Sequence, residues 1–177
     1  MVTLPESQVL ERADQWILKA KQEPDQFNRF MSFWVAYNMI YGIYTKRVKP
    51  KESITWFDRE KAIRTTILLK DSCHLKSDLV HLASELYDRT SVFREEYWKR
   101  NDTTSLRQHL ISSLRNDNFE YTLETILKIL YKIRCNLFHG EKSYYDYNQR
   151  QLLEVCNVIL DKILQETIRL FKLTFLD

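Results

Sequence analysis

FNRFMSFWVAYNMIYGIY, running from Phe27 to Tyr44, is the stretch on which the fold turns. Apolar side chains fall on almost every side of it: Phe27, Phe30, Met31, Trp34, Val35, Tyr37, Met39, Ile40, Tyr41 and Tyr44. A helix with no polar face belongs at the centre of a helical protein. Arg29, Asn38 and the tyrosines break the run, so it reads as a buried helix and not as a membrane span.

The flanks continue the helical pattern. Thr3 and Glu6 have capping-box spacing, and Val9, Leu10, Ala13, Trp16, Ile17 and Ala20 follow at helical period. That first helix is expected to end near Pro24, and the second to run from about Asp25 to Arg47. A basic link, Lys46 to Lys51, leads to a third helix over Ile54 to Leu69. A fourth spans about Leu75 to Trp98, with Leu75, Leu79, Leu82, Leu86, Phe93 and Tyr97 on one side. After a polar break at Lys99 to Thr104 comes a short helix to Leu114. Asp117 and Glu120 have capping-box spacing and open a helix through Ile126, Leu130, Ile133 and Leu137 that stops at Gly140, a residue type suited to a helix C-cap. A loop, Glu141 to Tyr147, precedes the last helix, with Asp146 and Gln149 at its cap and Leu152, Cys156, Ile159, Ile163 and Phe171 on its apolar stripe. No internal repeat or strand alternation is present.

Composition agrees. The chain has 177 residues, 44% hydrophobic and 29% charged, which suits one globular domain over residues 1–177. With 2 glycines and 3 prolines it lacks the turn residues a sheet protein needs. An all-α bundle of six or seven helices is the expected fold. The net charge of +3 gives only weak support for a nucleic-acid partner. Cys73, Cys135 and Cys156 form no disulfide framework or zinc spacing. His74, His81 and His109 show no metal-ligand pattern, and no glycine-rich phosphate loop is present. The N-terminus lacks the apolar run of a signal peptide, so cytoplasm is the default compartment.

The chemistry-bearing stretch is Tyr131 to Gly140, YKIRCNLFHG. It sets an arginine, an amide and an imidazole in the last turns of one helix. Arginine is permanently cationic and grips two phosphate oxygens at once. Histidine exchanges protons near neutrality. Together Arg134 and His139 suit RNA cleavage without metal: a base takes the proton of a ribose 2′-hydroxyl, and a cation stabilises charge on the phosphoryl oxygens. The competing reading is capping, because cations near a helix C-terminus interact favourably with its dipole. Five residues turn a helix by ~500°, so Arg134 and His139 do not share a face within one ideal helix. They converge if the last turn departs from ideal geometry, or if two copies meet across a dimer axis.

Arg134-Cys-Asn-Leu-Phe-His-Gly140 resembles the R-x4-6-H motif of HEPN domains, which lies at the end of a central helix. The order of elements is also similar: an aromatic-rich early helix (Phe33 to Asn38), the motif helix late, then a closing helix. The resemblance implies a helical bundle that dimerises, with two motifs facing each other in a cleft that cuts single-stranded RNA. It implies catalytic roles for Arg134 and His139 and brings in Asn136, with no cofactor and no metal. It also implies a toxin or defence effector, with an antitoxin or defence complex as partner and no membrane. The chain departs from the family at Cys135, where a polar residue commonly follows the arginine. It departs again at Glu141, where some members carry a tyrosine that is modified with AMP. The alternative within the family is a non-catalytic module binding RNA, a nucleotide or a protein partner. A helical adaptor with no nucleic-acid role is the third reading.

Further candidates lie outside the motif. Tyr144 and Tyr145 are candidate base-stacking residues, with packing against the bundle or a dimer partner as the competing reading. Lys46 and Arg47 are candidate phosphate contacts, competing with a solvated charged link. Asn38 needs a partner if buried; it either orients Arg134 or bonds across helices.

Overall fold

A computed structural model describes residues 5–52, 56–90, 103–138 and 147–176, with side chains from residue 106 in the third of these segments. Among the described residues the protein is helical throughout, without strands. The helices are α1 (Glu6–Gln22), α2 (Gln26–Val48), α3 (Asp58–Arg64), α4 (Thr66–Leu69), α5 (Cys73–Arg89), α6 (Thr103–Arg115), α7 (Phe119–Phe138) and α8 (Tyr147–Phe175). With α3 and the single turn α4 taken as one broken helix, the described residues form seven helices, as expected for the bundle.

The α2 stretch is buried as its composition requires. Phe30, Tyr37 and Ile40 have no exposed surface, and Phe33, Trp34, Tyr41 and Tyr44 have almost none. Burying each large apolar side chain contributes about 1.5–3 kcal/mol. α2 packs against α1, α3 and α8. α8 supplies the facing stripe, including Cys156, Ile159, Leu160, Ile163 and Phe171. One contiguous core draws a buried apolar residue from each described helix. No helix among the described residues is long and apolar enough to cross a membrane.

The corner between α1 and α2 is fixed by polar groups. Asp25 caps α2, its carboxylate accepting from the Asn28 amide at 2.9 Å. Arg29, one turn on, donates through Nε and Nη2 to the Glu23 carbonyl at 2.9 and 2.6 Å. This satisfies a carbonyl at the end of α1 that the helix leaves without an internal partner.

Several boundaries differ from the sequence expectation. Thr3 lies outside the described residues, and α1 starts after Pro5 with no side-chain cap. The expected third helix is divided at Thr65. The Ala62 carbonyl accepts from the Tyr37 hydroxyl and from the Thr65 hydroxyl, both at 2.8 Å. Two side-chain donors on one helix carbonyl coincide with the break. α5 starts two residues earlier than expected because Ser72 caps it, accepting from the Leu75 amide at 3.2 Å. The expected extension from Ser91 to Trp98 lies outside the described residues, as does the proposed cap at Asp146.

At the start of α7 the cap is Asn118, which accepts from the Tyr121 amide at 3.0 Å. Asp117 instead ends α6 in the left-handed region, with φ of 50°. The Asn118 amide reaches back to Ser113 O at 3.0 Å and the Asp117 amide to Leu114 O at 3.3 Å. That pair of bonds is a Schellman ending.

Candidate functional site

α7 carries the motif. Its buried stripe is Leu123, Ile126, Leu127, Leu130 and Ile133, and this stripe determines which motif residues face inward. Asn136 continues the inward stripe from Ile129 and Ile133 and is only 4% exposed. Arg134 sits about 200° around the helix from it and is half-buried. The fold therefore points Arg134 and Asn136 in different directions. His139, Gly140, Tyr144 and Tyr145 lie outside the described residues.

Two rings of α7 hold Arg134. Its guanidinium carbon lies 4.3 Å from the Phe138 ring centroid and 6.0 Å from that of Tyr131. Residues three back and four on share a helix face with it, and a guanidinium over an aromatic ring is attracted by the ring quadrupole. Nη1 also donates to Cys135 Sγ at 3.9 Å, while Nε is buried with no hydrogen-bond partner. Among the described residues no carboxylate pairs with Arg134, and it donates to no carbonyl at the helix end.

The rings continue into the core. Tyr131 meets Trp34 edge-on at 5.9 Å, Trp34 meets Tyr37 at 5.6 Å, and Tyr37 meets Tyr41 at 5.4 Å. α2 thus reaches the motif helix through long aromatic side chains. Burial raises the Tyr41 hydroxyl's pKa above the ordinary phenol value; Asp58 and Tyr131 add to the rise and Arg134 opposes it. Tyr131 is raised too, first by burial and then by Cys135, again with Arg134 opposing. The Asp58 carboxylate acts on both hydroxyls in the sense opposite to Arg134.

The other predicted residues are elsewhere. Arg47 pairs with Glu6 at 3.3 Å, donates to the Phe175 carbonyl at 3.3 Å and lies 5.6 Å from the Phe175 ring. It ties the end of α2 to the start of α1 and the end of α8. Lys46 beside it is exposed. Asn38 is exposed on α2, so its amide needs no buried partner, and water can serve it. Among the described residues no three His, Cys, Asp or Glu side chains group as a metal site.

Sequence reasoning overlooked Tyr131 and Phe138. The signal was present as aromatic, arginine, aromatic at spacings of three and four, which lines all three along one helix face. Comparison with family models, curated proteins and solved structures yields no match for this chain.

Proposed function

We propose that this protein is a metal-independent endoribonuclease of the HEPN type that cuts single-stranded RNA as a homodimer, in the role of a toxin or defence effector. The observation that carries the reading is the state of Arg134: half-buried, held by two rings, and in no ion pair among the described residues. A cation kept in that state is ready for an anionic ligand such as phosphate.

In the proposed reaction His139 takes the proton of a ribose 2′-hydroxyl. The 2′-oxygen attacks the adjacent phosphorus, and the bond from phosphorus to the 5′-oxygen breaks. The leaving 5′-oxygen takes a proton from a protonated imidazole. Arg134 stabilises the charge on the non-bridging oxygens. The products are a 2′,3′-cyclic phosphate and a 5′-hydroxyl. Asn136, the third residue of the expected catalytic set, is buried on the inward stripe of α7; in this reading it supports the helix end, with Arg134 and His139 as the proposed reacting pair.

Incubation of the purified protein with a generic single-stranded RNA in EDTA tests the reading. The expected result is cleavage with 2′,3′-cyclic phosphate ends at the rate seen without chelator. Activity lost in EDTA and restored by magnesium or manganese would assign different chemistry.

A further inference from the structure

We infer that Phe138 is the stacking platform for an unpaired base next to the phosphate gripped by Arg134. The inference rests on the ribonuclease reading of the same site and names the residue that would hold the substrate's base.

Phe138 is 55% exposed at the last described turn of α7, immediately before His139. The guanidinium of Arg134 lies over this ring at 4.3 Å. A guanidinium stacks through its plane and donates hydrogen bonds through its edge, so contact with Phe138 leaves the edge donors for a phosphate. The two side chains start one helical turn apart, roughly 5–6 Å between their Cβ atoms. A nucleotide offers its phosphate and its base on a comparable scale, with the sugar between them. Every base has a flat face, so an exposed ring beside a phosphate-binding cation binds single strands with little sequence preference.

The competing occupant is a second copy of the chain. Among the described residues Arg134 has no carboxylate partner. In the proposed dimer two such helix ends face one cleft, which sets two guanidiniums near each other. An RNA strand brings the missing negative charge with its base.

The test uses the full chain carrying His139→Ala, so that RNA is bound without being cut. The probes are a short single-stranded RNA with one 2-aminopurine and the same strand with an abasic site at that position. The expected result is quenching of the fluorophore on binding. Phe138→Ala should abolish the quenching and weaken binding by roughly 5- to 150-fold, the range for one stacked base, while Phe138→Tyr should retain both. The abasic strand should bind the Phe138 protein more weakly by the same factor and lose nothing further with Phe138→Ala. Equal loss from the abasic change in both proteins would overturn the stacking role and leave the RNA reading standing. A shift from dimer to monomer in Phe138→Ala would overturn it in favour of a subunit contact. No RNA binding by any of these proteins would overturn the inference together with the reading beneath it.

Discussion

Arg134 lies over the ring of Phe138, its guanidinium carbon 4.3 Å from the centroid, one turn before the described end of α7. The contact orients a planar cation at the helix end without neutralising it. An arginine held by a carboxylate would have to break that pair before taking phosphate. One held by rings keeps its charge available.

Subunit number tests how the proposed pair is brought together. Arg134 and His139 are separated by ~500° of ideal helical rotation; they converge through a last turn of other geometry or through a second copy, and the proposed dimer uses the second copy. Light scattering should give twice the chain mass of 21.5 kDa. A monomer at high micromolar concentration would contradict a site shared between subunits.

The aromatic centre gives the protein a base-sensitive stability. Burial raises the Tyr37 and Tyr41 hydroxyl pKa values above the ordinary 10.0. Above pH 10 the unfolded chain releases these protons while the folded chain keeps them. The folded state then binds more protons, so stability is full below the ordinary phenol pKa and falls as pH rises past it. The slope is at most about 1.4 kcal/mol per pH unit per phenol. Urea midpoints at pH 9 and pH 11 should show this loss, and Tyr37→Phe should reduce it. At pH 7 Tyr37→Phe should itself cost about 1–2 kcal/mol, because it removes the buried hydroxyl that donates to the Ala62 carbonyl.

Asp117 is the residue whose backbone asks for glycine. Its φ of 50° costs an L-residue about 1–2 kcal/mol. Its ion pair with Lys76, at 3.0 Å and largely exposed, contributes little. Asp117→Gly should raise the melting temperature relative to Asp117→Ala, by the equivalent of about 1 kcal/mol. Equal melting temperatures would mean that the left-handed ending of α6 is not kept in solution.

The helical content and the burial of α2 were legible in the sequence because an apolar run with few glycines and prolines admits few other folds. Asp25 was legible as the start of α2 because its cap is local. The break at Thr65 was not, because it involves Tyr37, far away in sequence. The cap at Asn118 was misread by one residue: Asp117 and Asn118 are both capping types, and only the bonds back to Ser113 and Leu114 distinguish them. At the candidate site the sequence singled out Arg134. It did not separate Arg134 from Asn136, which the inward stripe of α7 sends in another direction, and it passed over Phe138.

The central claim is that Arg134 and His139 perform RNA cleavage, and its most direct measurement is the turnover of single-stranded RNA by His139→Ala and Arg134→Lys beside the unaltered protein. His139→Ala should abolish cleavage with RNA binding reduced much less, because the imidazole acts chiefly in the transition state. Arg134→Lys should also impair turnover, because a point charge cannot replace a planar fork. Both variants should melt within a few degrees of the unaltered protein. Cleavage at the unaltered rate by a folded His139→Ala protein, or no cleavage by the unaltered protein at all, would contradict the account.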